Sequence, residues 1–410
     1  MDPDHLDHLA RSLAAADPTP RRRILLAAVS VAGGLLALPD ADDGEAKDRR
    51  RRRKQRHKRH KDLGSRKLHK RKKPQQCSPE PAAETCSGKC GAILNMCKET
   101  VDCGVCACET NSACGAGALC VGGDCYACDV SCTGSPAECG AALQQALDSR
   151  DTIYVCPGTY QGGFTISSPV AVFGAGQGDD PTIDTILHGN DALRVLYIAA
   201  SGKPVRLERL RVTHGSGGGS FGVDGVGIYH GGEALEMRDC TIAENTSYGG
   251  YGSGINSRGT LDLTRCTIRD NHADDLNPPH GGAAGLFSVG TTTMTDCIFE
   301  GNTVGSIGQG GGIFVNDGHT TLAGFTEVRG NEARYGGGIY VQGGTLDIGA
   351  DCRVTRNRIT ADGFGGGLLS KPEGTVILAG PNPSPIVVTN CPDNCWGNVP
   401  KCASGGICPV

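Results

Sequence analysis

The chain has 410 residues, 63 of them glycine and 22 cysteine, with aromatic residues at only 4% and a single tryptophan. This composition excludes a collagen, a membrane bundle and a mostly helical enzyme, and glycine at about twice its usual frequency, which cannot sit in helix interiors without heavy entropic cost, favours a turn-rich β architecture. The net charge of −4 hides a segregation: Lys47 to Lys73 carries 17 basic residues against Asp48 and Asp62, whereas the chain from Pro74 onward carries 19 basic against 34 acidic.

Residues 1–46 read as an export signal with an extended n-region. Arg21-Arg22-Arg23 precedes an apolar stretch of 15 residues, Ile24 to Leu38, broken by Gly33 and Gly34, too short to span a bilayer comfortably. The pattern resembles a twin-arginine signal, with Pro20 where Ser or Thr usually stands. Residues 47–76 follow as a disordered basic arm, because like charges repel and almost no apolar residue is present. Such an arm suits an anionic cell-wall polymer or a membrane surface, held by counterion release; no specific nucleic acid is expected. The expected location is secreted or at the cell surface.

Residues 77–137 form a cysteine-rich module. Between Cys77 and Cys139 there are 13 cysteines, and Cys156 makes the count even, so a disulfide framework is expected in place of a core too small to hold by burial alone. Connectivity does not follow from the spacing. A larger β domain is then expected over 138–398, opening on an amphipathic capping helix from Glu138 to Asp148 with Ala142, Leu143, Ala146 and Leu147 on one side. Cys391, Cys395, Cys402 and Cys408, with Trp396, form a disulfide-sized group that closes the last coil, and 399–410 is the C-terminal cap.

Two anchors define the repeat. Gly227-Ile228, Gly254-Ile255, Gly285-Leu286, Gly312-Ile313, Gly338-Ile339 and Gly367-Leu368 recur at 27, 31, 27, 26 and 29 residues, and Asn245, Asn271, Asn302, Asn331 and Asn357 recur at 26, 31, 29 and 26. Leu261-Asp262-Leu263 and Cys266-Thr267-Ile268 alternate with period two about a break, so each unit holds two or three short strands. A unit this short cannot bury its apolar face alone, but stacked coils share one column. The asparagines are expected to form a structural ladder at a tight bend. Cys240, Cys266, Cys297 and Cys352, with Thr326 in step, are expected as a buried stack of small side chains.

The segment from about Glu138 to Asn398 resembles a right-handed parallel β-helix repeat protein of the pectate-lyase-like superfamily. Gly310-Gly311-Gly312-Ile313 and Phe299-Glu300-Gly301-Asn302 are also similar to the repeats of polymorphic outer-membrane protein adhesins, though no transporter barrel accompanies them here, which points to a simple secreted or wall-held form. The fold class is therefore all-β, a right-handed parallel β-helix solenoid preceded by a disulfide-rich module and a disordered basic arm.

The resemblance implies a search for clustered carboxylates and a base. Asp179-Asp180 is similar to the acidic pair of polygalacturonase-like hydrolases, but lacks companion motifs and reads as a turn. The longest unit inserts His272, Asp274, Asp275 and His280, which could converge on calcium or a transition metal; no other cofactor is indicated. Tyr248, Tyr251, Tyr335 and Phe364 would lie on the same edge and are the ligand-binding candidates, for a polysaccharide or a protein. Arg258, Arg269, Arg334 and Arg358 are scattered, and aromatic poverty argues against a long sugar-binding track. The chain thus reads as an exported, surface-associated β-helix protein that presents loops for adhesion or polysaccharide binding without catalysis. The alternative is a secreted calcium-dependent polysaccharide lyase or a glycoside hydrolase acting on acidic polysaccharide.

Overall fold

The computed structural model describes residues 92–94, 97, 100–102, 108–217, 222–274, 282–379, 387–390 and 393–399. Residues 1–76, where an export signal and a basic arm are expected, and Asp275, His280, Cys391, Cys402 and Cys408 lie outside the described residues.

Three parallel nine-stranded sheets form a solenoid. Thr152–Tyr154, Gly158–Gln161 and Phe164–Ile166 open the first, second and third sheets, and Thr375–Leu378, Val387–Val388 and Cys395–Gly397 close them. Successive coils stack in register, as where Ile313 pairs Ile339, so an inward residue meets its equivalent at the interstrand spacing of about 4.8 Å. Ile228, Ile255, Leu286, Ile313, Ile339 and Leu368 form one fully buried file, and Ile242, Ile268, Phe299, Val328 and Val354 another.

The two sequence anchors are opposite sides of a single contact. Each anchor asparagine is wholly buried and donates its amide nitrogen to the amide oxygen of the next, from Asn245 to Asn271, Asn271 to Asn302 and Asn302 to Asn331 at 2.9 Å and from Asn331 to Asn357 at 3.0 Å. The column continues one coil further to Asn390, at 3.0 Å. At its other end Gly215, standing where an asparagine would, gives its backbone N–H to Asn245 at 2.8 Å. Against this column lies the file of anchor glycines. A Cβ on Gly312 would sit 3.0 Å from Asn331 Nδ2 and 2.8 Å from the Gly338 carbonyl oxygen, and one on Gly338 would sit 2.7 Å from Asn357 Nδ2. Glycine recurs there because the next coil's backbone carbonyl, 2.3–2.8 Å from such a Cβ, and the amide column beside it together leave no room for a side chain. The residue before each asparagine takes a left-handed turn, with φ of 57° at Glu244, 54° at Asp270 and 57° at Arg356, a conformation costing about 1 kcal/mol for a residue with a Cβ that the ladder's hydrogen bonds offset.

Among the described residues five units hold a fourth strand where loops were expected: Thr246–Tyr248, His272–Asp274, Thr303–Val304, Glu332–Tyr335 and Arg358–Phe364 form a parallel sheet. The chain leaving each asparagine turn stays extended, so its backbone groups pair with the neighbouring coil, and Ala273, Val304 and Ala333 bury a small apolar seam beneath it.

Helix α1 spans Pro136–Leu147, two residues earlier than the apolar pattern places it. The reason is a capping box: Glu138 N–H donates to Ser135 Oγ at 3.4 Å, Ser135 N–H donates to Glu138 Oε2 at 2.8 Å, and Pro136 opens the helix. Leu143, Ala146 and Leu147 are buried with Cys139 and Gly140, but Ala142 is exposed, since the helix presses the Gly140 side against the first coil. A Cβ on Gly140 would lie 2.0 Å from the Gln161 carbonyl oxygen. The helix covers what would otherwise be the open end of the column.

The cysteine-rich module is stapled to this end. Disulfides Cys108–Cys120 and Cys114–Cys125 hold a hairpin of Ala118–Val121 and Asp124–Ala127, while Cys128–Cys156 and Cys132–Cys139 join the module to the first coil and to α1. Cys240, Cys266, Cys297 and Cys352 are free and buried. Their thiols point to backbone carbonyls, as from Cys240 to Leu207 and from Cys266 to Met237, both at 3.5 Å, and Thr326 does the same to Met294 at 3.3 Å. Burial pushes the Cys266 thiol well above its ordinary pKa.

Candidate ligand-binding cleft

The outward residue of each third-sheet strand is its middle one, which in six coils directly follows the Gly-Ile or Gly-Leu anchor. Tyr197, Tyr229, Asn256, Phe287, Phe314, Tyr340, Leu369 and Trp396 therefore stand in one file, in register. Ring centroids of Tyr197 and Tyr229 lie 5.4 Å apart, Phe287 and Phe314 5.1 Å, and Phe314 and Tyr340 4.9 Å. The rings are few in the chain, but several of them fall along this one face. The middle of the file is buried, packed with Tyr251 and Tyr335, while Tyr197 and Trp396 at its two ends are 39% and 44% exposed.

A cleft of about 790 Å³ opens beside this file, bounded by Tyr340. Its walls come from three successive turns that leave the third sheet: Asn316-Asp317, Gln342-Gly343-Gly344 and Lys371-Pro372-Glu373, with Gln309 at one side. Asp317, Gln342, Lys371 and Glu373 are exposed and Gln309 and Asn316 half-buried. Asp317 Oδ1 accepts the Gly318 N–H at 2.7 Å, which shapes its turn. Burial, with Tyr335 and Glu373 nearby, pushes the Tyr340 hydroxyl up to about 12, so it remains a neutral donor. The cleft offers three carboxamides, one ammonium and two carboxylates around a tyrosine, a set that donates to and accepts from hydroxyl groups in many directions.

The residues singled out from sequence are spread over different parts of the surface. Tyr248 and Asp274 are paired in the fourth sheet, and Tyr335 pairs Phe364 there, ring centroids 6.3 Å apart. Phe364 in turn packs on Trp396 at 5.1 Å. Tyr251 is instead a packing residue: its ring lies 4.8 Å from Phe287 and its N–H donates to Asp224 Oδ1 at 2.8 Å. His272 Nδ1 is 2.8 Å from Thr303 Oγ1, and among the described residues no third ligand atom gathers with His272 and Asp274. The basic residues divide between faces: Arg258 pairs Asp224, Arg269 pairs Asp270, Arg358 pairs Glu332, and Arg334 lies over the Tyr335 ring. Asp180 accepts from the Thr182 N–H and hydroxyl at 2.9 and 2.7 Å, which makes it a turn-former. Asp179 reaches a smaller cleft shared with Arg211, Arg269 and Glu300.

The cleft residues Gln309, Asn316, Asp317, Gln342, Lys371 and Glu373 went unmarked in the sequence because none belongs to a motif. Their one signal is positional: the three turns follow the anchors Ile313, Ile339 and Leu368 at nearly constant spacing.

Residues 195–391 match the family model described as "Right handed beta helix region". No curated protein and no solved structure matches the chain. Among the described residues no helix is long and apolar enough to cross a membrane.

Proposed function

The chain is a right-handed parallel β-helix repeat protein, and from that premise we propose that it is an exported, surface-associated protein that binds polysaccharide without transforming it. The observation that carries this reading is the cleft beside Tyr340, where Gln309 and Asn316 from one coil converge with Gln342 and Lys371 from the next two. Amides and an ammonium on a rigid scaffold can bind hydroxyl groups with little ordering cost. Export is supported by the four disulfides around residues 108–156, which belong to an oxidising compartment. The arm of 47–73 serves as the attachment to an anionic wall polymer or membrane surface, a contact that weakens steeply with salt.

The test is glycan binding by the full mature chain, measured calorimetrically against a panel of oligosaccharides, with reducing-end and ultraviolet-absorbing product assays run on the same samples. Binding that is lost in the double variant Asn316→Ala, Gln342→Ala, with no product formed, is the expected result. Binding unaffected by that variant, or absent from the wild type, removes the reading. Product formation would make the protein an enzyme, with Asp317 and Glu373 the carboxylates to replace first.

A further inference from the structure

We propose that the cleft selects uncharged pyranose chains, hexose or N-acetylhexosamine, and rejects uronates; this rests on the glycan-binding reading above and names its ligand class. The argument starts from the charges that line the cleft. Asp317 and Glu373 are both exposed and face it with only Lys371 as a counter-charge. None of the three is within ion-pairing distance of another described residue, so the carboxylates stay available to repel an incoming carboxylate. The surrounding body adds to this, with 34 acidic against 19 basic residues from Pro74 onward. A polyuronate would bring one negative charge per sugar into this field. An uncharged sugar brings none and can use Gln309, Asn316 and Gln342 as hydrogen-bonding partners.

The geometry also specifies how the chain lies. The walls come from three coils stacked about 4.8 Å apart, so hydrogen-bonding side chains, Asn316, Gln342 and Lys371, follow one another along the solenoid axis. Trp396 occupies the same file as Tyr340, two coils on. It is 44% exposed, and its ring packs on Phe364, which is 46% exposed. This pair lies outside the cleft lining but on the same file, two coils beyond Tyr340, and forms an exposed apolar surface on which a sugar chain long enough to extend past the cleft can stack.

The experiment uses the full chain and matched oligosaccharides of increasing length: cello-, manno- and chito-oligosaccharides as the uncharged arm and oligogalacturonates as the charged arm. At low salt at least one uncharged series should bind about tenfold or more tighter than oligogalacturonate of equal length, a gap that shrinks as salt is added. Asp317→Asn with Glu373→Gln should bring the two to within about threefold, while Trp396→Ala should weaken long oligosaccharides several-fold and leave the shortest binder unchanged. Asparagine at 317 retains the Oδ1 acceptor for Gly318, so the turn is preserved. Oligogalacturonate binding as tightly as the uncharged chains, or a preference unmoved by neutralising the carboxylates, overturns the selectivity while leaving glycan binding in place. Silence from every arm overturns glycan binding itself.

Discussion

Replacing Asn331 with alanine removes five hydrogen bonds at one point of the amide column. Asn331 Nδ2 donates to Phe299 O at 2.9 Å, to Arg329 O at 3.0 Å and to Asn357 Oδ1 at 3.0 Å, and its Oδ1 accepts from Asn302 N at 3.0 Å and Asn302 Nδ2 at 2.9 Å. Asn302 is wholly buried, so its backbone N–H has no water to turn to. The Asn302 amide keeps its bond to Ile268 O at 2.9 Å but loses the other. One fully orphaned donor costs about 1–3 kcal/mol, and the half-orphaned amide with the new cavity adds to it, so the total should be about 3–4 kcal/mol. Asn331→Asp should cost at least as much at neutral pH, because it keeps the acceptor but turns a carboxylate oxygen toward three other oxygens in a buried site. Urea unfolding followed by circular dichroism measures both, with the midpoint and slope reported separately. A loss below about 1 kcal/mol for Asn331→Ala would refute the structural reading of the ladder, since so small a cost means that the buried donors find other partners.

Two glycine variants separate crowding from backbone conformation: Gly312→Ala, which meets Gly338 O and Val328 Cγ1 at 2.8 Å, should lose about 2–3 kcal/mol, whereas Gly330→Ala, at φ 63° with nothing within 4 Å, should lose about 1 kcal/mol. Equal losses would show that the anchor glycines are not crowded by the neighbouring coil. His230 is wholly buried, its Nδ1 is 2.9 Å from Ser257 Oγ and its Nε2 has no partner among the described residues; burial holds its pKa at about 4. The unfolded chain therefore takes up the proton first, so the stability present above about pH 6.5 is lost as pH falls toward 4, by about 3 kcal/mol. His230→Leu should remove that part of the pH dependence, and denaturation curves at pH 7 and pH 4.5 that change equally in both proteins would contradict it. Cys240, Cys266, Cys297 and Cys352 should be silent to a thiol reagent in the folded protein and react together on unfolding in denaturant; rapid labelling in buffer would mean that the stack opens locally.

The solenoid, its coil length and the burial of its anchors were determined by the amino-acid sequence alone, because each coil repeats the same steric demand. Gly312 and Asn331 lie 19 residues apart yet answer to one contact, and that contact recurs in coil after coil, so both residue types appear as periodic signals. The capping helix was legible for a similar local reason, although Ser135 and Pro136 moved its start and Ala142 fell outside its buried face. Stacking in register decided the rest. The fourth sheet was invisible because its strands, from Thr246-Ser247-Tyr248 to Arg358–Phe364, share no side-chain pattern and are held by backbone pairing between coils. The aromatic file was hidden because its members are separated by a whole coil, and because Ile313-Phe314-Val315 is buried on both faces and so shows no alternation. The cleft depended most on tertiary structure: Asn316, Gln342 and Lys371 are unremarkable turn residues in sequence, and become neighbours only because parallel stacking converts a separation of one coil into one interstrand spacing.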